Sequence, residues 1–177
     1  MGLAAPVVLE FDRPSESSGR GPAPGGRRLA AVRDTPARFR EERVISVVVV
    51  EDDPAMQLLV QFNLETAGFR VTLAETGTEG LATVAAEEPD LVLLDVMLPH
   101  MGGFEVARSL SDVPIVFMSA RASTGDFARG REVGAIDYIS KPFDPVALPD
   151  RLREDLIELD RTGSAAHVWA FRFGHTP

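Results

Sequence analysis

The chain of 177 residues contains no cysteine, which excludes a disulfide framework, a thiolate metal site and a thiol nucleophile. Histidines number 3, at positions 100, 167 and 175, and are too scattered to suggest a metal site or a catalytic dyad. No apolar run approaches the roughly 20 residues that cross a bilayer. "VISVVVV" is too short, and "LVLLDVML" carries Asp95 at its centre. The opening "MGLAAPVVLEFDRP" has neither a basic leader nor a long apolar stretch, so no secretion signal and no membrane contact are expected, and the expected location is cytoplasmic. Lysine is the scarcest charged residue: of 18 basic side chains, only Lys141 is not arginine. Arginine presents a planar fork, lysine a compact charge on a flexible stem, so the exception marks a place where a fork does not fit.

Charge is unevenly spread. Residues 1–43 hold 8 arginines and 6 acids, whereas the remainder holds 10 basic and 21 acidic groups, net −11. A body this acidic repels nucleic acid, and no nucleic-acid contact is expected from this chain. Residues 1–43 ("RPSESSGRGPAPGGRR" within them) are rich in Pro, Gly, Ser and Arg without apolar periodicity and are expected to be a disordered N-terminal extension, with translation starting near Val44 as the plainer option.

From Val44 the pattern changes. "VISVVVV" and "LVLLDV" are continuous apolar runs, as expected of strands covered on both faces. "RVTLAE", "VPIVFMSA" and "AIDYIS" supply three more strands. Between them lie helical patterns: Asp53-Pro54 as cap and first residue with Met56, Leu59, Val60 and Leu64 following, residues 78–88, "GGFEVARSL", residues 124–133, and a final stripe of Leu148, Leu152, Leu156 and Leu159. Alternation of five strands and five helices predicts an α/β domain with a doubly wound parallel sheet. Ligands bind such sheets at the carboxyl ends of the strands.

Those ends carry the chemistry. Strand one ends in Glu51-Asp52-Asp53, strand three in Asp95, strand four in Ser119 and strand five in Lys141. Asp53 reads as a helix cap. Three acids in one crevice oppose their own ionisation unless a cation joins them. An oxygen-only donor set points to a hard ion, Mg2+. Asp95 is then the candidate nucleophile, forming an acyl phosphate, with Lys141 and Ser119 holding the phosphoryl oxygens.

"VVVVEDDP", "LVLLDVMLPHMGGFEV", "IVFMSAR" and "GAIDYISKPFDP" match in order and spacing the four blocks of the receiver domain of bacterial response regulators, and over residues 44–160 the chain resembles that family. The resemblance implies a flavodoxin-like (βα)5 fold with strand order 2-1-3-4-5. It implies Mg2+ held by Asp52, with Glu51, Asp95 and the Met97 backbone carbonyl, and phosphorylation of Asp95 by a histidine kinase or phosphotransfer protein. The domain would not be an enzyme in the ordinary sense but an acceptor that catalyses its own phosphotransfer and dephosphorylation. Ser119 and Tyr138 fall on the switch positions, the tyrosine ring turning inward on activation, and a cis Lys141-Pro142 bond would aim the ammonium into the crevice.

Departures concern output. Gly102 stands where an acid is common, which should loosen its loop; Pro149 requires either a late helix start or a kink. Phe127 and Ala147 occupy positions where similar domains often place a basic residue and an acid across a symmetric dimer, whereas Asp137 and Arg151 are retained. A protein partner is therefore expected on the helix-4, strand-5, helix-5 face, with a homodimer in second place. Residues 161–177 are expected to be a tail; Trp169, Phe171 and Phe173 alternate as on a strand that could add to a partner, though a disordered tail or a truncated gene is the favoured reading. Two alternatives stand beside this one. The first is the receiver part of a DNA-binding regulator lacking its effector domain. The second is an aspartyl-phosphate phosphatase, which Met97 disfavours because those enzymes place a second aspartate there.

Overall fold

The β-branched run of the first strand needs apolar cover on both sides, and the fold supplies it. A computed structural model describes residues 44–121 and 123–174, so the expectation for residues 1–43 lies outside the described residues. Five strands, β1 (Ser46–Val50), β2 (Arg70–Ala74), β3 (Leu91–Asp95), β4 (Ile115–Ser119) and β5 (Asp137–Ser140), alternate with α1 (Pro54–Thr66), α2 (Gly77–Glu87), α3 (Gly103–Ser109), α4 (Thr124–Glu132) and α5 (Leu148–Thr162), followed by α6 (Ala165–Phe173). All pairings are parallel and the order is β2-β1-β3-β4-β5, as the resemblance implied.

Alternation along each strand divides the core. Val47, Val49, Leu91, Leu93, Val116 and Met118 pack with Val60 and Leu64 of α1 and Leu152 and Leu156 of α5. Val48, Val50, Val92, Leu94 and Phe117 face the other way, against Phe104 and Val106 of α3. Position 80 has no side chain because Val50 leaves no room: a Cβ there would lie 2.7 Å from the valine Cγ2.

Local signals explain the helix ends. Asp53 caps α1, accepting from the amides of Ala55 (2.8 Å) and Met56 (3.1 Å). Asp90, expected only to open β3, also ties it to β1: its Oδ2 accepts from the Ser46 amide (2.9 Å) and hydroxyl (3.0 Å). Pro149 falls in the first turn of α5, where its missing N–H costs nothing; of the two options, the late start is the one observed.

The C-terminal segment corrects the expectation of a strand or a disordered tail. After Gly163 (φ 61°) ends α5, residues 165–173 form a helix of 9 residues that packs on α5 and β5. The period-two reading counted aromatics alone; Ala165, Val168, Trp169 and Phe173 recur at helical spacing and form the inner side. Val168 joins the core layer of α1 and α5 while Trp169 joins the opposite layer, so α6 straddles the edge strand β5. Covering an edge with a helix removes a row of backbone groups otherwise open to strand pairing. The expected boundary at residue 160 falls inside α5.

Candidate functional site

Parallel register brings the strand ends level. Val50 lies beside Leu94, Asp95 beside Met118, and Ser119 beside Ser140, so the residues following β1, β3 and β5 converge on one rim. Carboxylate oxygens of Glu51, Asp52 and Asp95 lie within 4.8 Å of one another. Glu51 is 1 % exposed and Asp95 is buried, while Asp52 opens to solvent. Lys141 closes the cluster: its Nζ donates to Glu51 Oε2 and Asp95 Oδ2, each at 2.6 Å. The Lys141-Pro142 peptide is cis, as the resemblance implied. A single ammonium touching two carboxylates on different strands is a point-charge arrangement, which answers why the one lysine is here.

Burial pushes the Glu51 carboxyl up to about 7, with the Lys141 hydrogen bond opposing and the Asp95 charge adding to the rise. For Lys141, burial acts to lower the pKa, but its contacts with Asp95 and Glu51 outweigh it and hold the ammonium above its ordinary value. Three carboxyls face one lysine, so the rim carries surplus negative charge that a divalent ion would relieve. The donor set fits a hard cation: all oxygen, closely spaced, and open on the Asp52 side.

The acceptor is held by its backbone neighbours. Asp95 Oδ1 accepts from the Met97 amide at 2.8 Å, leaving Oδ2 to Lys141. The Met97 side chain is 46 % exposed, and its peptide lies directly beside the acceptor. Gly103, which sequence reasoning passed over, is essential to this loop: a Cβ there would sit 2.1 Å from the Asp95 carbonyl oxygen. Gly102 is the N-cap of α3 and provides no side-chain cap. Gln57, also passed over, is a buried amide that donates to the Glu51 carbonyl at 2.7 Å, fixing the backbone beneath the acids.

Ser119 is fully buried, and its Oγ accepts from the Arg121 amide at 3.0 Å. The Tyr138 hydroxyl donates to the Arg121 carbonyl at 2.7 Å, and its ring points inward, 4.7 Å from that of Phe127. Burial raises the Tyr138 pKa.

On the expected partner face lies α6. The Phe127 ring meets that of Phe173 at 5.3 Å. Asp137 is wholly buried and gripped by Arg151, Nε to Oδ2 at 2.6 Å and Nη2 to Oδ1 at 2.9 Å. Arg172 of α6 reaches Asp155 Oδ1 (2.5 Å), Glu154 Oε2 (3.0 Å) and the Arg151 carbonyl (2.6 Å). Asp155 is 0 % exposed, and burial followed by the Asp137 charge pushes its carboxyl up to about 8. The signal for this cluster was present in the sequence, an acid set into the Leu148–Leu152–Leu156–Leu159 stripe.

Residues 47–153 match the family model of the response regulator receiver domain. The chain is 42 % identical over 120 residues to the transcriptional regulatory protein CseB of Streptomyces coelicolor, covering 66 % of this chain and 51 % of that protein. It is 42 % identical over 113 residues to the DNA-binding response regulator MtrA of Mycolicibacterium smegmatis, covering 62 % and 50 %. The chain thus spans about half the length of the curated relatives it matches. Among solved structures, a CheY-like receiver domain protein of Methanospirillum hungatei superposes with a TM-score of 0.64 at 29 % identity, covering 67 % of this chain and 98 % of that one. The BeF3-activated receiver domain of RstA from Klebsiella pneumoniae gives 0.60 at 37 % identity, covering 63 % and 97 %.

Proposed function

Because the chain belongs to the response regulator receiver domain family, we propose that Asp95 accepts a phosphoryl group from a histidine kinase or phosphotransfer protein and passes the signal to a protein partner. The observation that carries this reading is Lys141 Nζ at 2.6 Å from both Asp95 and Glu51 at the mouth of a three-carboxyl rim. An Asp95 carboxylate oxygen attacks phosphorus, the donor's P–N bond breaks, and an acyl phosphate forms. Asp52, Glu51, Asp95 and the Met97 carbonyl would hold Mg2+, which when bound neutralises charge on the phosphoryl oxygens. The Met97 amide orients the acceptor. Lys141 follows the new charge by exchanging a carboxylate for a phosphoryl oxygen, and Ser119 Oγ turns from the Arg121 amide to donate to another. Water attacking the same phosphorus would reverse the modification, so the domain catalyses its own loading and unloading without being an enzyme of the ordinary kind.

Incubation with acetyl phosphate and Mg2+, followed by intact mass measurement, tests the reading. The expected result is one added phosphoryl group on the wild type and none on Asp95→Asn; equal labelling of both would refute it.

A second reading is favoured by the relatives themselves, which are transcriptional and DNA-binding regulators about twice as long as the matched region. In it, this domain is the regulatory half and DNA is contacted by residues beyond the matched region. An extended protein from the same locus that binds DNA in a phosphorylation-dependent manner would establish it; a locus without such a protein would remove it.

A further inference from the structure

Of the two switch positions, one is set for an empty acceptor and the other is not. Ser119 Oγ is turned to its own backbone, accepting from the Arg121 amide. The Tyr138 ring is already inward, 1 % exposed, with its hydroxyl donating to the Arg121 carbonyl at 2.7 Å. What backs the ring in that position comes from α6. Phe127 of α4 lies against Tyr138 at 4.7 Å, and Phe173 of α6 meets Phe127 edge to face at 5.3 Å. Trp169 supports Phe173 at 4.9 Å. Gly130 of α4 lets these rings close over the helix: a Cβ there would come 3.2 Å from the Tyr138 ring and 3.3 Å from the indole. On its inner side the Tyr138 ring meets Phe117 at 5.9 Å. The helix carrying Phe173 and Trp169 is fastened separately from these rings, by Arg172 to Asp155, Glu154 and the Arg151 carbonyl.

We propose that α6 is a built-in clamp that keeps Tyr138 in its inward, activated position before any phosphoryl group arrives, so that docking of α6 and phosphorylation of Asp95 favour each other. The inference rests on the proposed role of Asp95 and on the inward ring being the activated arrangement. A segment shifts a two-state ring only as far as it contacts the two positions differently. With Tyr138 inward, Phe127 is left in contact with Phe173. A ring turning outward has to displace Phe127, which is half-buried between the two, and so breaks the edge-to-face pair. Phosphorylation then has less to move: Ser119 and Lys141 adjust at the rim while the ring stays where α6 holds it. A helix that favours the activated ring must, by linkage, raise the affinity of the rim for the phosphoryl group by the same factor. The clamp is also local, since Gly163 and Ser164 alone separate α5 from α6, and α6 can be loosened without altering α5.

The chain supplies its own reporter, because Tyr138 is its single tyrosine. The full chain is labelled with 3-fluorotyrosine, and the fluorine resonance is followed as beryllofluoride, a reversible stand-in for the acyl phosphate, is titrated in the presence of Mg2+. Bound beryllofluoride is seen in the same spectra. The wild type should give one resonance that shifts on binding by much less than Phe173→Ser displaces it. Phe173→Ser should move the resonance before any addition, and beryllofluoride should return it toward the wild-type position. Its affinity for beryllofluoride should fall by roughly 5- to 150-fold. Arg172→Ala, which loosens α6 without altering a ring beside Tyr138, should act in the same direction. Phe171→Ser, on the exposed side of the same helix, should match the wild type, and far-ultraviolet circular dichroism should show that all three variants keep the remaining helices. A wild-type resonance that moves on binding as far as Phe173→Ser displaces it overturns the clamp and leaves the role of Asp95 standing. A folded Phe173→Ser chain with the wild-type resonance and the wild-type affinity does the same. A wild type that takes neither beryllofluoride nor a phosphoryl group from acetyl phosphate overturns the role of Asp95 and the coupling together.

Discussion

Two buried ionic clusters in this domain are built from the same residue classes and differ in charge balance and in access. At the strand-end rim, Glu51, Asp52 and Asp95 face Lys141 alone, and Asp52 opens to solvent. Beneath α6, Asp137 and Glu154 face Arg151 and Arg172 while burial keeps the Asp155 carboxyl protonated at neutral pH, so the cluster is balanced in charge, and a helix covers it. The rim thus keeps an excess of negative charge where solutes reach it, and its cation is a movable point charge. The cluster under α6 leaves no excess, and the Arg151 fork fixes Asp137 through two hydrogen bonds. Surplus charge with access makes a site for exchange; balanced charge without access makes a fastening.

That contrast can be broken from either side. The largest stability effect is expected at the fastening: Arg151→Ala leaves the Asp137 carboxylate buried without its fork and should cost about 3 kcal/mol, measured by urea unfolding. Gly103→Ala comes next, at about 1–3 kcal/mol, because the new methyl cannot share space with the Asp95 carbonyl. This variant should also lose phosphoryl labelling, since the backbone it displaces carries the acceptor. Lys141→Met should lose labelling too, but with less than half the stability cost of Arg151→Ala, because water enters the rim and Glu51 takes up a proton readily. A cost at Lys141 equal to that at Arg151 would erase the distinction between the two clusters.

A further effect is one of pH. With its carboxyl raised from 3.8 to about 8, Asp155 binds a proton in the folded chain that the unfolded chain has already released. Its contribution to stability is therefore full below about pH 4 and is lost as pH climbs to about 8, with a slope of at most about 1.4 kcal/mol per pH unit for one proton. Glu51, raised to about 7, acts in the same direction. Asp155→Asn should flatten the decline measured by unfolding at pH 5, 6, 7 and 8 without abolishing it; an unchanged slope would show that Asp155 is charged throughout.

The strands and the convergence of the rim residues were legible in the sequence because each signal is local and redundant, whereas the strand order came from the resemblance to receiver domains. An apolar run long enough to be covered on both faces and closed by an acid fits a central parallel strand whose tip meets a ligand, and Asp53-Pro54 fixes where α1 starts. Gly103 was not legible, since its meaning depends on an oxygen eight residues away in the chain and in contact only after folding. The last segment misleads for a related reason. Three aromatics at period two outweigh Ala165 and Val168 at helical spacing, and a helix of 9 residues gains its stability from packing rather than from its own sequence. Phe127, Asp137 and Arg151 do gather around β5, but what covers them was hidden in that ambiguous segment.

The central claim is that the strand-end rim is an unbalanced carboxylate pocket that takes a divalent ion before it takes phosphate. Titration calorimetry with Mg2+ on the phosphate-free chain tests it most directly. One ion should bind to the wild type and none detectably to Asp52→Ala, while Asp155→Asn, in the closed cluster, should bind as the wild type does. Equal Mg2+ binding by the wild type and Asp52→Ala would contradict the account.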